Sequence, residues 1–322
     1  MGAEHGHGHG QATAGSDRRW LAGALTVIAA FMIGEVTVGV IAGSLALLSD
    51  AAHMLTDAAS IGLALWAIRL AARPAAGRMT YGWKRAEILS AQANGLTLLL
   101  LGAWLTYEAV QRLLHPPAVD GGLVLVVALV GIVVNLAATW MISKANRTSL
   151  NVEGAFQHIL NDLFAFIATA VAGLVIVLTG FTRADAIATL VVVALMVRAG
   201  VGLVRESSRI FLESAPAGLD PDALGDRLVG LPGVDEVHDL HVWQITSGQV
   251  ALSAHVLVDQ GGDCHALRRD LEQVLAGDYA ITHTTLQVDH AVPASRRTSS
   301  PVDDAHCEDS HGPVHRDEPH SH

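Results

Sequence analysis

Two short patterns repeat in the most apolar part of the chain. His53-Met54-Leu55-Thr56-Asp57 and His158-Ile159-Leu160-Asn161-Asp162 are both His-x-x-x-Asp. Four residues is about one helical turn, so each imidazole stands on the same helix face as its carboxylate. An ionisable side chain at bilayer depth costs about 2.5–3.5 kcal/mol on insertion, so such residues usually face a cavity and serve function. If the two faces meet, two imidazoles and two carboxylates converge. That is a tetrahedral nitrogen and oxygen set suited to Zn²⁺ and neighbouring divalent metals. A single pair reads equally well as an intrahelical hydrogen bond; two identical pairs favour the metal. Asp50, three residues before His53, is a candidate entrance carboxylate or spare ligand. Glu35 and Asn135 either line the same cavity or satisfy a neighbouring helix backbone.

A second set of histidines lies further on: His238, His241, His255 and His283, with Asp289 close behind. All fall in segments that read as strands. Side chains alternate along a strand, so His283 and Asp289 share a face, and at most one of His238 and His241 joins it. Three strands each offering one histidine, beside a carboxylate, make a second candidate metal site; the bland reading of each is a half-buried polar residue. His265 reads as a surface residue of a helix. The two ends of the chain hold His5, His7, His9, His306, His311, His315, His320 and His322, eight of its 17 histidines. Such tracts either capture metal loosely or are merely solvated.

Six apolar windows must position the first set: 20–41, 44–70, 87–113, 121–143, 152–179 and 185–204. Each approaches or exceeds the roughly 20 residues that cross a bilayer as helix. The whole chain of 322 residues is 51% hydrophobic and only 16% charged, with aliphatic rather than aromatic excess at 5% aromatic. This composition argues against a fully soluble enzyme. A net charge of −11 disfavours nucleic acid as a partner, and two cysteines, Cys264 and Cys307, build no disulfide framework. Residues 1–19 read as a polar, His-rich tail without a cleavable signal, so the first window is expected to stay as a span. Arg69, Arg73, Arg78, Lys84 and Arg85 sit between the second and third windows, Lys144 and Arg147 between the fourth and fifth, and Arg18 and Arg19 before the first. The opposite turns hold little beyond Arg112 and Arg183. The positive-inside bias therefore predicts both termini in the cytoplasm.

After the spans, 20–206, the pattern changes to that of a small soluble domain over 207–292. A helix is expected at 221–229, capped near Asp220 with Pro221 at its first position. Strands are expected at 234–245 and 249–258, joined by Thr246-Ser247-Gly248, then a helix at 264–275 and a strand at 281–290. The order α-β-β-α-β implies an α+β domain with helices on one face of a sheet. Residues 293–322, rich in Ser, Asp, Pro and His, are expected to be disordered.

Longer motifs surround these residues. Gly34-Glu35-Val36, the run from Gly43-Ser44-Leu45 through His53 to Asp57, Tyr81-Gly82-Trp83-Lys84-Arg85-Ala86-Glu87, Ser149-Leu150-Asn151 leading to His158 and Asp162, and Val237-His238-Asp239-Leu240-His241-Val242-Trp243 closely resemble the cation diffusion facilitators. The resemblance runs from about residue 20 to 290, and the His-Asp/His-Asp version is similar to the zinc-transporting branch. It implies an α-helical membrane protein of six transmembrane helices with a cytoplasmic metallochaperone-like α-β-β-α-β domain. It further implies a homodimer that exports Zn²⁺ from the cytoplasm in exchange for protons and binds regulatory zinc in that domain. By position, the resemblance gives the transport site as His53, Asp57, His158 and Asp162, and the cytoplasmic site as His238, His255, His283 and Asp289. No site is expected between spans two and three, because 71–80 contains no His, Asp, Glu or Cys.

The ligands suggest their own coupling, since neutral imidazole and ionised carboxylate bind metal or proton in competition. No Gly-x-x-x-x-Gly-Lys-Ser/Thr appears, so transport driven by ATP hydrolysis is not expected, and no catalytic cofactor is implied. One rival is an intramembrane zinc-dependent hydrolase, which needs an open coordination position and a base, and no His-Glu-x-x-His is present. A second rival, a metal-sensing membrane receptor, would not explain ligands at the bilayer centre. Cd²⁺ and Co²⁺ suit the same donor set. With no signal and short loops, the expected location is a bacterial inner membrane.

Overall fold

The structure is a computed structural model that describes the backbone of residues 9–42, 45–116, 121–145, 150–291 and 312–316, with side chains from residue 19 onward except at 35, 38–57, 123, 151 and 185. The chain divides into two compact units, Met1–Ser208 and Arg209–His322.

The first unit is built from six long helices, α1 (His9–Ala42), α2 (Leu45–Ala71), α3 (Ala86–Leu114), α4 (Gly121–Ser143), α5 (Leu150–Thr179) and α6 (Ala184–Phe211). Among the described residues, the helical stretches at Ala86–Leu114, Val124–Ser143, Val152–Thr179 and Ala186–Phe211 are long and apolar enough to cross a membrane, and Arg19–Gly34 and Ala58–Ala71 form shorter apolar helices. The helices start and stop close to the expected windows, with two differences. Helix α1 continues back through the polar run 9–19, and α6 runs on past residue 204 to Phe211. Both extensions are richer in polar residues than the windows they prolong, so apolar content alone does not mark them.

One packed cluster joins four helices: Leu21 and Ile28 of α1, Ile61 and Ala64 of α2, Ala138 and Ile142 of α4, and Val152, Phe156 and Ile159 of α5. A second joins Leu98 of α3 with Val192, Met196 and Leu203 of α6. Small residues let these helices approach. A Cβ on Gly200 would lie 3.0 Å from the Gly95 carbonyl oxygen, and a Cβ on Gly131 of α4 would overlap the Phe166 ring of α5. Without a hydrophobic drive in lipid, close backbone packing of this kind is what holds membrane helices together.

The second unit has the order α7 (Pro221–Val229), β1 (Val234–Thr246), β2 (Gln249–Val258), α8 (Cys264–Tyr279), β3 (His283–His290) and β4 (His315–Arg316). Asp220 caps α7 by accepting from the Asp222 N–H, and Pro221 fills the first helical position. Asp263 caps α8 by accepting from the His265 and Ala266 N–H groups, at 3.0 Å each. The bond from Ala266 is the main reason its carboxyl is held below the usual carboxylate range. The sheet order is β3-β2-β1-β4; β1 and β2 form an antiparallel hairpin, and β2 pairs with β3 in parallel. Leu224 and Leu228 of α7 and Leu271 and Leu275 of α8 are buried with Val237, Leu252, Val256 and Val258 of the sheet.

The strand β4 departs from expectation. Residues 293–322 read as disordered by composition, yet His315 and Arg316 pair antiparallel with Val237 and Glu236 on the outer edge of β1. Residues 292–311 and 317–322, and the beginning of the amino-terminal tail at 1–8, lie outside the described residues.

Candidate metal transport site

Helix α5 carries the half of the first site whose side chains are described. His158 and Asp162 are one turn apart and both buried, at 1% and 6% exposure, with the His158 Nε2 3.8 Å from an Asp162 carboxylate oxygen. Asn161 is buried beside them, and its Nδ2 makes no hydrogen bond among the described residues. A buried imidazole and carboxylate on one face of a membrane helix offer one nitrogen and one oxygen donor of the kinds that divalent metals take, and the His158 Nε2 and the Asp162 oxygen stand 3.8 Å apart, beyond hydrogen-bond distance. The other half sits on α2, which packs against α5. Residues 53 and 57 fall on α2, and Ala58 and Ile61, just beyond them, pack into the cluster that contains Phe156 and Ile159 on either side of His158. The side chains of His53 and Asp57, with those of Glu35 and Asp50, lie outside the described residues. Asn135 is buried on α4 and donates through Nδ2 to the carbonyl of Gly131, 3.1 Å away in its own helix. Its amide therefore serves the backbone of its own helix, not that of a neighbouring one.

In the second unit the pairing of β1 with β2 sets His238 directly across from His255, their rings edge-on with centroids 5.4 Å apart. The strand is irregular between His238 and His241, where Asp239 takes a φ of 52° in the left-handed region, one that aspartate enters more readily than most residues. This bulge aims the Asp239 carboxylate at two histidines, 3.1 Å from His241 Nε2 and 4.0 Å from His255 Nε2. Behind His238, a Glu236 oxygen lies 3.1 Å from its Nδ1. Neither carboxylate belonged to the predicted set. The motif Val237-His238-Asp239 was the only hint, because strand alternation cannot foresee a bulge.

The parallel register places the remaining two candidates elsewhere. Gln287 of β3 lies across from His255, whereas His283 pairs with Ala251, four positions back. At about 3.3 Å per residue this puts His283 about 13 Å along the sheet from the His238–His255 pair. It shares a face with Asp289 as expected, but six residues of strand hold the two about 20 Å apart. Asp289 pairs with Leu257, two positions beyond His255, and accepts a hydrogen bond from Gln287 Nε2 at 2.9 Å. Among the described residues no three His, Cys, Asp or Glu side chains are close enough to hold one metal ion.

Six long helices with a buried His–Asp pair in the fifth, joined to a small mixed-sheet unit, define a polytopic membrane protein built to handle cations. Residues 21–212 match the cation efflux transmembrane domain, and residues 216–291 match the cytoplasmic domain of cation efflux proteins. The chain belongs to the cation efflux, or cation diffusion facilitator, family. It is 38% identical over 293 residues to the metal cation efflux system protein CzcD of Cupriavidus metallidurans, covering 90% of this chain and 91% of that one. It is 35% identical over 292 residues to the zinc transporter ZitB of Escherichia coli, covering 90% and 93%. The cadmium, cobalt and zinc/H(+)-K(+) antiporter of Bacillus subtilis is 35% identical over 289 residues, covering 88% and 92%. Among solved structures, the metal-bound C-terminal domain of the C. metallidurans CzcD transporter is 35% identical and covers 22% of this chain and 99% of that one, at a TM-score of 0.21. These relatives are cation efflux transporters, not enzymes, so the hydrolase reading is set aside.

Proposed function

We propose that this protein exports Zn²⁺, with Cd²⁺ and Co²⁺ as further substrates, from the cytoplasm in exchange for protons. The ion is held by His53 and Asp57 of α2 and His158 and Asp162 of α5. The observation that carries this reading is the buried His158–Asp162 pair on a membrane helix packed against the helix that bears the second His-x-x-x-Asp. The ligands must be deprotonated to take the metal, so zinc loading from the cytoplasm expels protons and protonation on the far side expels zinc. Alternation between two openings around one fixed site is sufficient for exchange.

On this reading the protein sits in the inner membrane with both termini in the cytoplasm, 20–206 crossing the bilayer and 207–292 lying in the cytoplasm as the dimerising domain of a homodimer. The cytoplasmic domain takes up regulatory zinc around the His238–His255 pair, with a Glu236 oxygen 3.1 Å from His238 Nδ1 and an Asp239 oxygen 4.0 Å from His255 Nε2. Of the remaining candidates, His283 and Asp289 stand too far apart to share one ion with each other. The test is reconstitution in liposomes with a zinc-sensitive dye inside and a pH gradient across the membrane. Zinc flux that appears with the wild-type chain and vanishes with Asp162→Ala supports the reading; equal flux from both overturns it.

A further inference from the structure

We propose that the outer edge of β1 and the adjoining face of α7 form a docking site for this chain's own C-terminal segment, residues 312–316, which latches the His-rich tail onto the cytoplasmic domain. Three separate contacts converge on that segment. Its backbone adds a strand to β1, pairing His315 with Val237 and Arg316 with Glu236, where an edge strand would otherwise present unpaired N–H and C=O groups. The His315 side chain is buried to 6% exposure, with its Nδ1 2.8 Å from an Asp226 carboxylate oxygen of α7. Arg316 donates from Nε to a Glu236 oxygen at 2.7 Å.

The receptor is shaped for the imidazole. A Cβ placed on Gly225 would overlap the His315 ring, so the absence of a side chain there opens the slot that the ring fills. Glycine inside a helix is unfavourable relative to alanine, and nothing in the helix itself calls for one at this position. The occupant is the tail of the same chain. Twenty-three residues separate Ala291 from His315, enough to span about 80 Å when extended, far more than the return path requires. The latch also lies beside the histidine pair of this domain, because Glu236 accepts from Arg316 through one oxygen while its other oxygen stands 3.1 Å from His238 Nδ1.

The experiment uses the full-length protein in detergent micelles and follows amide hydrogen exchange. Amides of 315–316 and of the β1 edge at 236–237 are expected to be protected in the wild type. Gly225→Ala favours helix in α7 yet blocks the slot. It is therefore expected to speed exchange of 315–316 at least tenfold while α7 stays protected. A wild-type segment that exchanges at the rate of a free peptide, or unchanged protection in Gly225→Ala, overturns the proposal. A second variant keeps the result independent of that substitution: Glu236→Cys with Arg316→Cys, in a chain carrying Cys264→Ser and Cys307→Ser. Opposed residues of an antiparallel pair lie about 4.5–5.5 Å apart at Cα, within disulfide range. Mild oxidation is expected to link the two peptides within one chain; no link, or a link only between chains, overturns docking in cis.

Discussion

A neutral imidazole beside an ionised carboxylate is a good ligand pair for a divalent ion and an equally good pair of proton acceptors, which is why the proposed function assigns the work of α5 to His158 and Asp162. Removing any of the four proposed ligands leaves three that hold the ion poorly. His53→Ala, Asp57→Ala, His158→Ala and Asp162→Ala are each expected to lower zinc flux in liposomes by tenfold or more while the protein still elutes at the wild-type position on gel filtration. His53→Asp is expected to retain flux but admit Mn²⁺, because an added carboxylate hardens the donor set; a competition series of cations reads this out. In the cytoplasmic domain, burial and then the nearby Asp259 carboxylate push Asp235 above the usual carboxylate range. An acid with a raised folded pKa favours the fold below its unfolded value and loses that contribution as pH rises through the folded one. Asp235→Asn is therefore expected to raise the melting temperature at pH 7, with the gain disappearing below about pH 3.9. The spacing of His158 and Asp162 was legible in sequence because a helix converts spacing directly into geometry. The roles of Asp239 and Glu236 were not, because they depend on a bulge and a cross-strand register that appear only once β1 meets β2.

Helix α7 and strand β2 match their expected bounds, whereas α8 runs past the expected residue 275 to Tyr279 and strand β4 was not expected. Helix α7 begins after its Asp220 cap and ends at Gly230, and β2 spans the expected residues, because capping and alternation are written in the chain itself. Strand β4 has no such signal: two residues pair only because the β1 edge and the slot at Gly225 accept them. The distance of His283 from His255 belongs to the same class, since it follows from the parallel register of β3 on β2. Packing predictions also fall at this scale. Leu271 of α8 is fully buried against the sheet, so Leu271→Ala is expected to cost about 2–5 kcal/mol of stability, seen as a lower denaturation midpoint of the cytoplasmic domain in full-length protein. In the membrane unit, Gly200→Leu would drive a side chain into the Gly95 carbonyl and the Leu99 side chain. It is expected to separate α3 from α6 and reduce the yield of folded protein from detergent extraction.

The two compact units divide the work of the molecule between a membrane pathway and a cytoplasmic domain. None of the four proposed transport ligands lies in 1–17 or after 292. Removing both segments is therefore expected to leave flux near the wild-type value at saturating zinc and to weaken uptake only at low zinc; complete loss at saturation would mean that an essential group lies in a tail. The exchange itself makes a stronger demand. If protons and zinc use the same ligands in turn, zinc cannot cross unless protons return, and the zinc gradient at rest is fixed by the proton gradient. One pH unit corresponds to about 1.36 kcal/mol per proton, a factor of ten. With one or more protons returned per zinc ion and the membrane potential clamped, each unit by which the far side is more acidic is expected to raise the resting zinc ratio at least tenfold. Liposomes of known internal pH, read with a zinc dye at steady state, measure this ratio directly. A zinc ratio indifferent to the pH gradient, with His158 and Asp162 still essential for flux, would keep the site and refute the exchange.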